Sequence, residues 1–261
     1  MTELVSDFLG IKDHTLEIQW INPQISGRPT LIFLHEGLGS LGLWKDFPRL
    51  LCQMCRCPGF IYSRLGYGES DPCILPRKIN YLHKEALDVL PRVLEAADIR
   101  DHILIGHSDG GSIGLIYAGS PCSTRLKGLI TEASHVFVEP VTVKSIQEAR
   151  EAYLIGGLRE KLDRHHGKNT DTAFWGWNDI WLHPNFIHWN IEKYLKKIQV
   201  PVMAIQGRQD PYGTLSQITA LSGQIRDCRT RIIENCGHAP HMEQKEHVLK
   251  LMAGFIEDLT G

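Results

Sequence analysis

The chain has 261 residues, enough for one large hydrophobic core. Its 28 Lys and Arg nearly balance 30 Asp and Glu, and no basic block stands out, so there is no electrostatic footprint of a nucleic-acid partner. No stretch approaches about 18 uninterrupted apolar residues, so no segment reads as crossing a membrane.

At the amino terminus, residues 1–7 carry acids and lack the basic and apolar runs of a secretory leader. Seven cysteines, an odd number, then read as free thiols in a reducing compartment, and the expected location is the cytoplasm. Residues 15–22 read as an antiparallel edge strand. Residues 31–34 form a short apolar run after Pro29 that ends at His35-Glu36-Gly37. Cys52, Cys55 and Cys57 come next. A structural zinc site needs four ligands in paired spacing, and no fourth appears, so these read as buried thiols where a helix feeds a strand.

Further apolar runs occupy residues 59–62, 102–105, 126–130, 200–205 and 230–233. Each is too short for a helix and is closed by glycine or polar residues, as buried parallel strands are. Between them, residues 83–98 and 245–258 place apolar side chains at three- and four-residue intervals, the period of a helix packed on a sheet. This alternation predicts an α/β fold, a mostly parallel sheet with helices on both faces. The pattern breaks between 136 and 197, where residues 146–164 read as helical, no clear strand follows, and tryptophans cluster at Trp175, Trp177 and Trp181. The expected organisation is a core of residues 1–135 and 198–261 with a helical cap insertion over 136–197. No internal repeat or low-complexity tract is visible.

The strongest chemical signal is Gly106-His107-Ser108-Asp109-Gly110. It matches G-x-S-x-G between an apolar strand and a helix-compatible run, the context of a nucleophile elbow. Such a turn exposes the serine hydroxyl and demands small residues two positions to either side. A serine hydroxyl is a weak nucleophile alone. It needs a base within hydrogen-bond reach, and the base needs an orienting acid. Asp210 in Gly207-Arg208-Gln209-Asp210 and His238 in Cys236-Gly237-His238 both follow apolar runs, where an open α/β sheet gathers its site. The predicted catalytic set is Ser108, Asp210 and His238.

With the His35-Glu36-Gly37 turn, the Gly66-Tyr67-Gly68 loop, the elbow and the Asp210 and His238 loops, the chain resembles the esterase and lactonase branch of the α/β-hydrolase fold over nearly its whole length. That resemblance implies a Ser-His-Asp triad in the observed chain order and an oxyanion hole of two backbone N–H groups. One would be that of Asp109. The other would be that of Gly37, although a glutamate, Glu36, stands where relatives carry glycine. Glu132 is the rival acid at a strand end. His241 follows His238 and reads as a neighbour that packs or hydrogen-bonds. Arg64 reads as ordering its loop. Trp177 and Trp181 are predicted to line an acyl pocket under the cap, with core packing as the alternative.

The implied activity is hydrolysis of carboxylic esters or lactones of a small, fairly apolar substrate, through an acyl-enzyme, with no cofactor and no metal. The serine in place of an aspartate argues against haloalkane dehalogenase and epoxide hydrolase chemistry. The same triad also serves C–C bond hydrolases and acyltransferases, and a slow-turnover ligand-binding or receptor protein would retain it.

Overall fold

Valine, isoleucine, leucine and aromatic side chains fill the short runs between glycines, and burial on both faces turns those runs into the middle of a sheet. In the computed structural model, which describes residues 7–261, eight strands pair into one sheet. Apart from Asp7, the acidic amino-terminal stretch lies outside the described residues. The strands are β1 (Asp7–Ile11), β2 (His14–Ile21), β3 (Thr30–Leu34), β4 (Gly59–Tyr62), β5 (His102–His107), β6 (Leu126–Glu132), β7 (Val202–Gly207) and β8 (Cys228–Ile233). Their order is β1-β2-β4-β3-β5-β6-β7-β8. The β1–β2 and β2–β4 pairings are antiparallel and the remainder are parallel.

The predicted edge strand at residues 15–22 is antiparallel, but β1 lies outside it. The sequence hides β1 because its residues are largely exposed and lack a clean alternation. Its connection to β2, at Lys12-Asp13, also lacks the Asn-Gly or Asp-Gly signature of a two-residue hairpin turn.

Two apolar layers cover the sheet. On one face, the helices Phe47–Cys55 and Lys245–Thr260 bury Phe47, Leu51, Val248, Met252 and Phe255 against Phe33 and Ile105. Cys52 and Cys55 lie in the first of these helices and Cys57 just before β4. All three are buried and free. Burial pushes the Cys55 thiol up to about 12, so it stays protonated at neutral pH. On the other face, Leu90, Val93, Ile113, Ile116, Ile218 and Leu221 come from the helices Leu90–Ala96, Asp109–Ala118 and Leu215–Gln224. Each such side chain contributes about 1.5–3 kcal/mol when fully buried.

Between β6 and β7 the chain leaves the sheet and forms helices Pro140–Ile155, Leu158–His166 and Thr170–Trp181. The helical reading over 146–164 is one pattern in sequence and two helices in space. Gly156 caps the first, and Gly157, at φ +74°, lets the chain turn into the second. Tyr153 of the first stacks on Phe174 of the third with ring centroids 3.6 Å apart.

β4 and β5 flank β3 on opposite sides, so the direction of winding reverses there. In an open α/β sheet a ligand crevice forms outside the carboxyl ends of the strands at such a switch. Residues 35–37 follow β3, and Ser108 follows β5.

Candidate active site

Ser108 occupies the junction of β5 and the helix Asp109–Ala118 with φ +51° and ψ −114°. A non-glycine residue held there costs of the order of 1–3 kcal/mol and persists only where its surroundings enforce it. The surroundings here are backbone. A Cβ at Gly106 would strike the Gly110 carbonyl, and one at Gly110 would strike the Leu34 carbonyl behind it. The Ser108 N–H donates to the Glu132 carbonyl at 2.8 Å, which ties the turn to the end of β6.

Asp210 and His238 come from the loops after β7 and β8. His238 Nδ1 lies 2.9 and 3.0 Å from the two Asp210 carboxylate oxygens. The Asp210 side chain is buried and also accepts from the Tyr212 N–H at 2.8 Å and from Gln206 Nε2 at 3.0 Å. Burial alone would favour its neutral form. The His238 contact and the Tyr212 N–H outweigh that and hold the carboxyl below its ordinary value. With Nδ1 committed to Asp210, His238 has Nε2 left for a proton. Ser108 and His238 line one cavity. Among the described residues Ser108 Oγ makes no hydrogen bond to His238, a contact that commonly tightens only when substrate binds.

The rival acid has its own imidazole. Glu132 Oε2 meets His241 Nδ1 at 2.6 Å, both side chains buried, and the His241 ring packs 4.7 Å from Trp44 and 5.5 Å from Phe47. Between the two pairs lies His107. Its Nε2 donates to the His238 main-chain carbonyl at 2.7 Å, and its Nδ1 is 3.5 Å from Glu36 Oε2. Burial acts to lower the basicity of His107, but the Glu36 and Glu132 carboxylates and the His238 carbonyl raise it to about 9. Glu36 is correspondingly held far below the usual carboxylate range, where its contact with the charged His107 overcomes burial. Glu36 and His107 therefore form an ion pair beside the loop that carries His238.

The cavity is lined by Ser108, His238, Glu36, Gly37 and Leu38, by His135 and Tyr212, and by Thr142, Ile146, Trp177 and Trp181 from the helices between β6 and β7. Its free interior volume is about 80 Å³. Trp177 packs so closely over Gly37 that a Cβ there would overlap its indole ring. Trp181 is both wall and core. It is 2% exposed, and its indole N–H donates to Tyr81 Oη at 2.9 Å and to Asp109 Oδ1 at 3.3 Å. Neither the Gly37 nor the Asp109 N–H has a protein acceptor among the described residues. Gly37 lies in a turn, and Asp109 opens a helix, where first-turn N–H groups have no intrahelical partner.

Several lining and supporting residues escaped sequence reasoning. His135 and Thr142 lie past the end of β6 on a stretch without a recognisable motif, and Tyr212 follows Asp210 by two positions. Position at the carboxyl end of a strand was the available signal for His135. Among the described residues no group of three or more His, Cys, Asp or Glu is placed to hold a metal ion.

A strained serine elbow and an acid-held imidazole around one cavity, with unclaimed N–H groups at Gly37 in its lining and at Asp109 next to the serine, are the parts from which nucleophilic acyl transfer is built. A family model described as the alpha/beta hydrolase family matches residues 31–249, and the chain belongs to that family. Over 72 residues it is 37% identical to monoacylglycerol lipase abhd6-A of Xenopus laevis, a match spanning 28% of this chain and only 21% of the lipase. Over 278 aligned residues it is 22% identical to a proline iminopeptidase of Lactobacillus helveticus (strain DPC 4571), covering 89% of this chain and 91% of the peptidase. The crystal structure of the enol-lactonase from Burkholderia xenovorans LB400 superposes with a TM-score of 0.74 at 17% identity, covering 96% of this chain and all 100% of that one, a likeness of fold.

Proposed function

We propose that the protein is a serine hydrolase of carboxylic esters or lactones with small, largely apolar acyl groups, with Ser108 as nucleophile, His238 as general base and Asp210 as orienting acid. The observation that carries this reading is the Asp210-held His238 facing the same cavity as the strained Ser108. Ser108 Oγ attacks the carbonyl carbon while its proton passes to His238 Nε2. The tetrahedral oxyanion accepts from the Gly37 and Asp109 N–H groups. Collapse expels the alkoxide, which takes the proton from His238 and leaves as the alcohol. Water then gives a proton to His238 and attacks the acyl-enzyme, and collapse releases the acid as that proton returns from His238 Nε2 to Ser108 Oγ. The chemistry calls for no cofactor or metal.

Leu38, Ile146, Trp177 and Trp181 make the walls apolar, and the limited open volume favours short or compact acyl groups over long chains. A panel of p-nitrophenyl esters of rising acyl length and small lactones, run with Ser108→Ala as control, tests the reading. Turnover of short-chain esters or lactones, lost in Ser108→Ala, is expected. The full-length likeness to a peptidase makes amide hydrolysis the rival, so prolyl p-nitroanilide belongs in the panel. Preference for that amide over every ester would overturn the ester assignment.

A further inference from the structure

We propose that Arg64 is a positioning residue that fixes both N–H donors of the oxyanion hole from behind. The claim rests on the assignment of those donors to Gly37 and Asp109.

Arg64 is 1% exposed and lies outside the cavity. Its guanidinium nonetheless reaches one donor peptide, at the Glu36 carbonyl, and the side chain of the other donor residue, Asp109. Nη2 donates to the Glu36 carbonyl at 2.7 Å. That carbonyl and the Gly37 N–H are the two ends of one planar trans peptide, so a hydrogen bond fixing the oxygen also aims the N–H the opposite way. Two further groups converge on the same oxygen, His35 Nδ1 at 2.7 Å and the Gly39 N–H at 3.1 Å. His35 is itself set by Arg64. The Arg64 N–H and Nε donate to His35 Nε2 at 3.0 and 3.3 Å, which leaves the ring proton on Nδ1, pointing at the Glu36 carbonyl. Burial and the guanidinium charge both keep this imidazole neutral, consistent with that tautomer.

On its other side, Arg64 Nη1 lies 3.6 Å from Asp109 Oδ2, with both side chains buried. Tyr81 Oη donates to the same oxygen at 2.6 Å, and Trp181 holds Oδ1. The Asp109 side chain is therefore clamped, and with it the first residue of the helix that follows the elbow. A buried carboxylate without its cation would be expensive, so loop ordering alone also requires Arg64. Its distinctive role is the link from one charge to the Gly37 donor peptide and to the side chain of the second donor residue, Asp109, which makes the spacing of the hole depend on a residue that never touches substrate. Preorganised donors of this kind act mainly on the transition state, so the effect belongs in kcat and not in KM.

Arg64→Lys keeps a cation for Asp109 but loses the forked reach to the Glu36 carbonyl and His35. On a p-nitrophenyl ester, kcat should fall about ten- to a hundred-fold. KM should stay within about twofold, because ground-state binding is unchanged. Affinity for a trifluoromethyl ketone, which forms an oxyanion adduct with the serine, should fall in parallel with kcat. His35→Gln disturbs the same carbonyl while leaving the Arg64–Asp109 contact, and it decides the matter if the lysine variant does not fold. A kcat-selective loss is expected there too. A folded Arg64→Lys, or failing that His35→Gln, with kcat within about twofold of wild type, or with a loss confined to KM, overturns the proposal. If Ser108→Ala retains activity, the triad reading itself has failed. If Ser108→Ala is inactive and Arg64→Lys is unimpaired, only the role of Arg64 has failed.

Discussion

Asp210 and Glu132 each hold an imidazole, but only the Asp210 partner lines the cavity with Ser108. Asp210→Asn should lower kcat by two or more orders of magnitude, because an amide at that point favours the wrong tautomer of His238. Glu132→Gln should weaken the His241 contact and cost stability, about 3–5 kcal/mol if the buried pair is broken outright, with far less effect on kcat. Steady-state kinetics and thermal melts of both variants separate the two acids, and the reverse ranking would transfer the role to Glu132. The Glu36–His107 pair makes a prediction in pH. The folded-state value of His107 is raised to about 9, so its stabilisation is fully present below the unfolded value of about 6.5 and is lost as pH rises through about 9. Glu36 is lowered, so its share is present above its ordinary value and is lost only in acid. Melting curves of wild type and Glu36→Gln should therefore differ most near pH 6 and converge by about pH 9.5. A gap that widened with rising pH would mean that the pair is not an ion pair.

At the scale of elements, the buried parallel strands could be read from sequence because they are continuous apolar runs closed by glycine, and the elbow could be read because its geometry admits few residues. β1 could not, since an exposed strand carries neither signal. The Asp210 and His238 loops were visible through their position at strand ends. The Glu36–His107 contact and the His35–Arg64 link join residues distant in the chain, and nothing in their local sequence encodes the meeting. The helix Thr170–Trp181 sharpens the question of the tryptophans, because Trp177 covers Gly37 while Trp181 hydrogen-bonds Asp109. Trp177→Ala should open the cavity, raise KM for short esters and shift preference to longer acyl chains. Trp181→Ala should cost about 3–5 kcal/mol as a large core truncation and also depress kcat, since Asp109 loses a donor. Thermal melts and a chain-length series measure both. Equal stability loss with unchanged chain-length preference would reduce Trp177 to packing.

For the whole molecule, membership of the alpha/beta hydrolase family explains the sheet and the gathering of the site where the winding reverses at β3. It leaves the reaction open, because one fold hosts many chemistries and the similar proteins named above include a lipase, a peptidase and a lactonase. The local features on which the proposed reaction rests are a compact apolar cavity, a glutamate–histidine pair beside the His238 loop and a buried arginine that touches the Glu36 carbonyl and faces the Asp109 carboxylate. The central claim is that Ser108 is an activated nucleophile, and covalent capture tests it most directly. A fluorophosphonate probe should label the native protein once, at Ser108 by peptide mass mapping, with labelling abolished in Ser108→Ala and slowed by about three or more decades in His238→Ala. Labelling that persists in Ser108→Ala, or a native protein that remains unlabelled, would contradict the account.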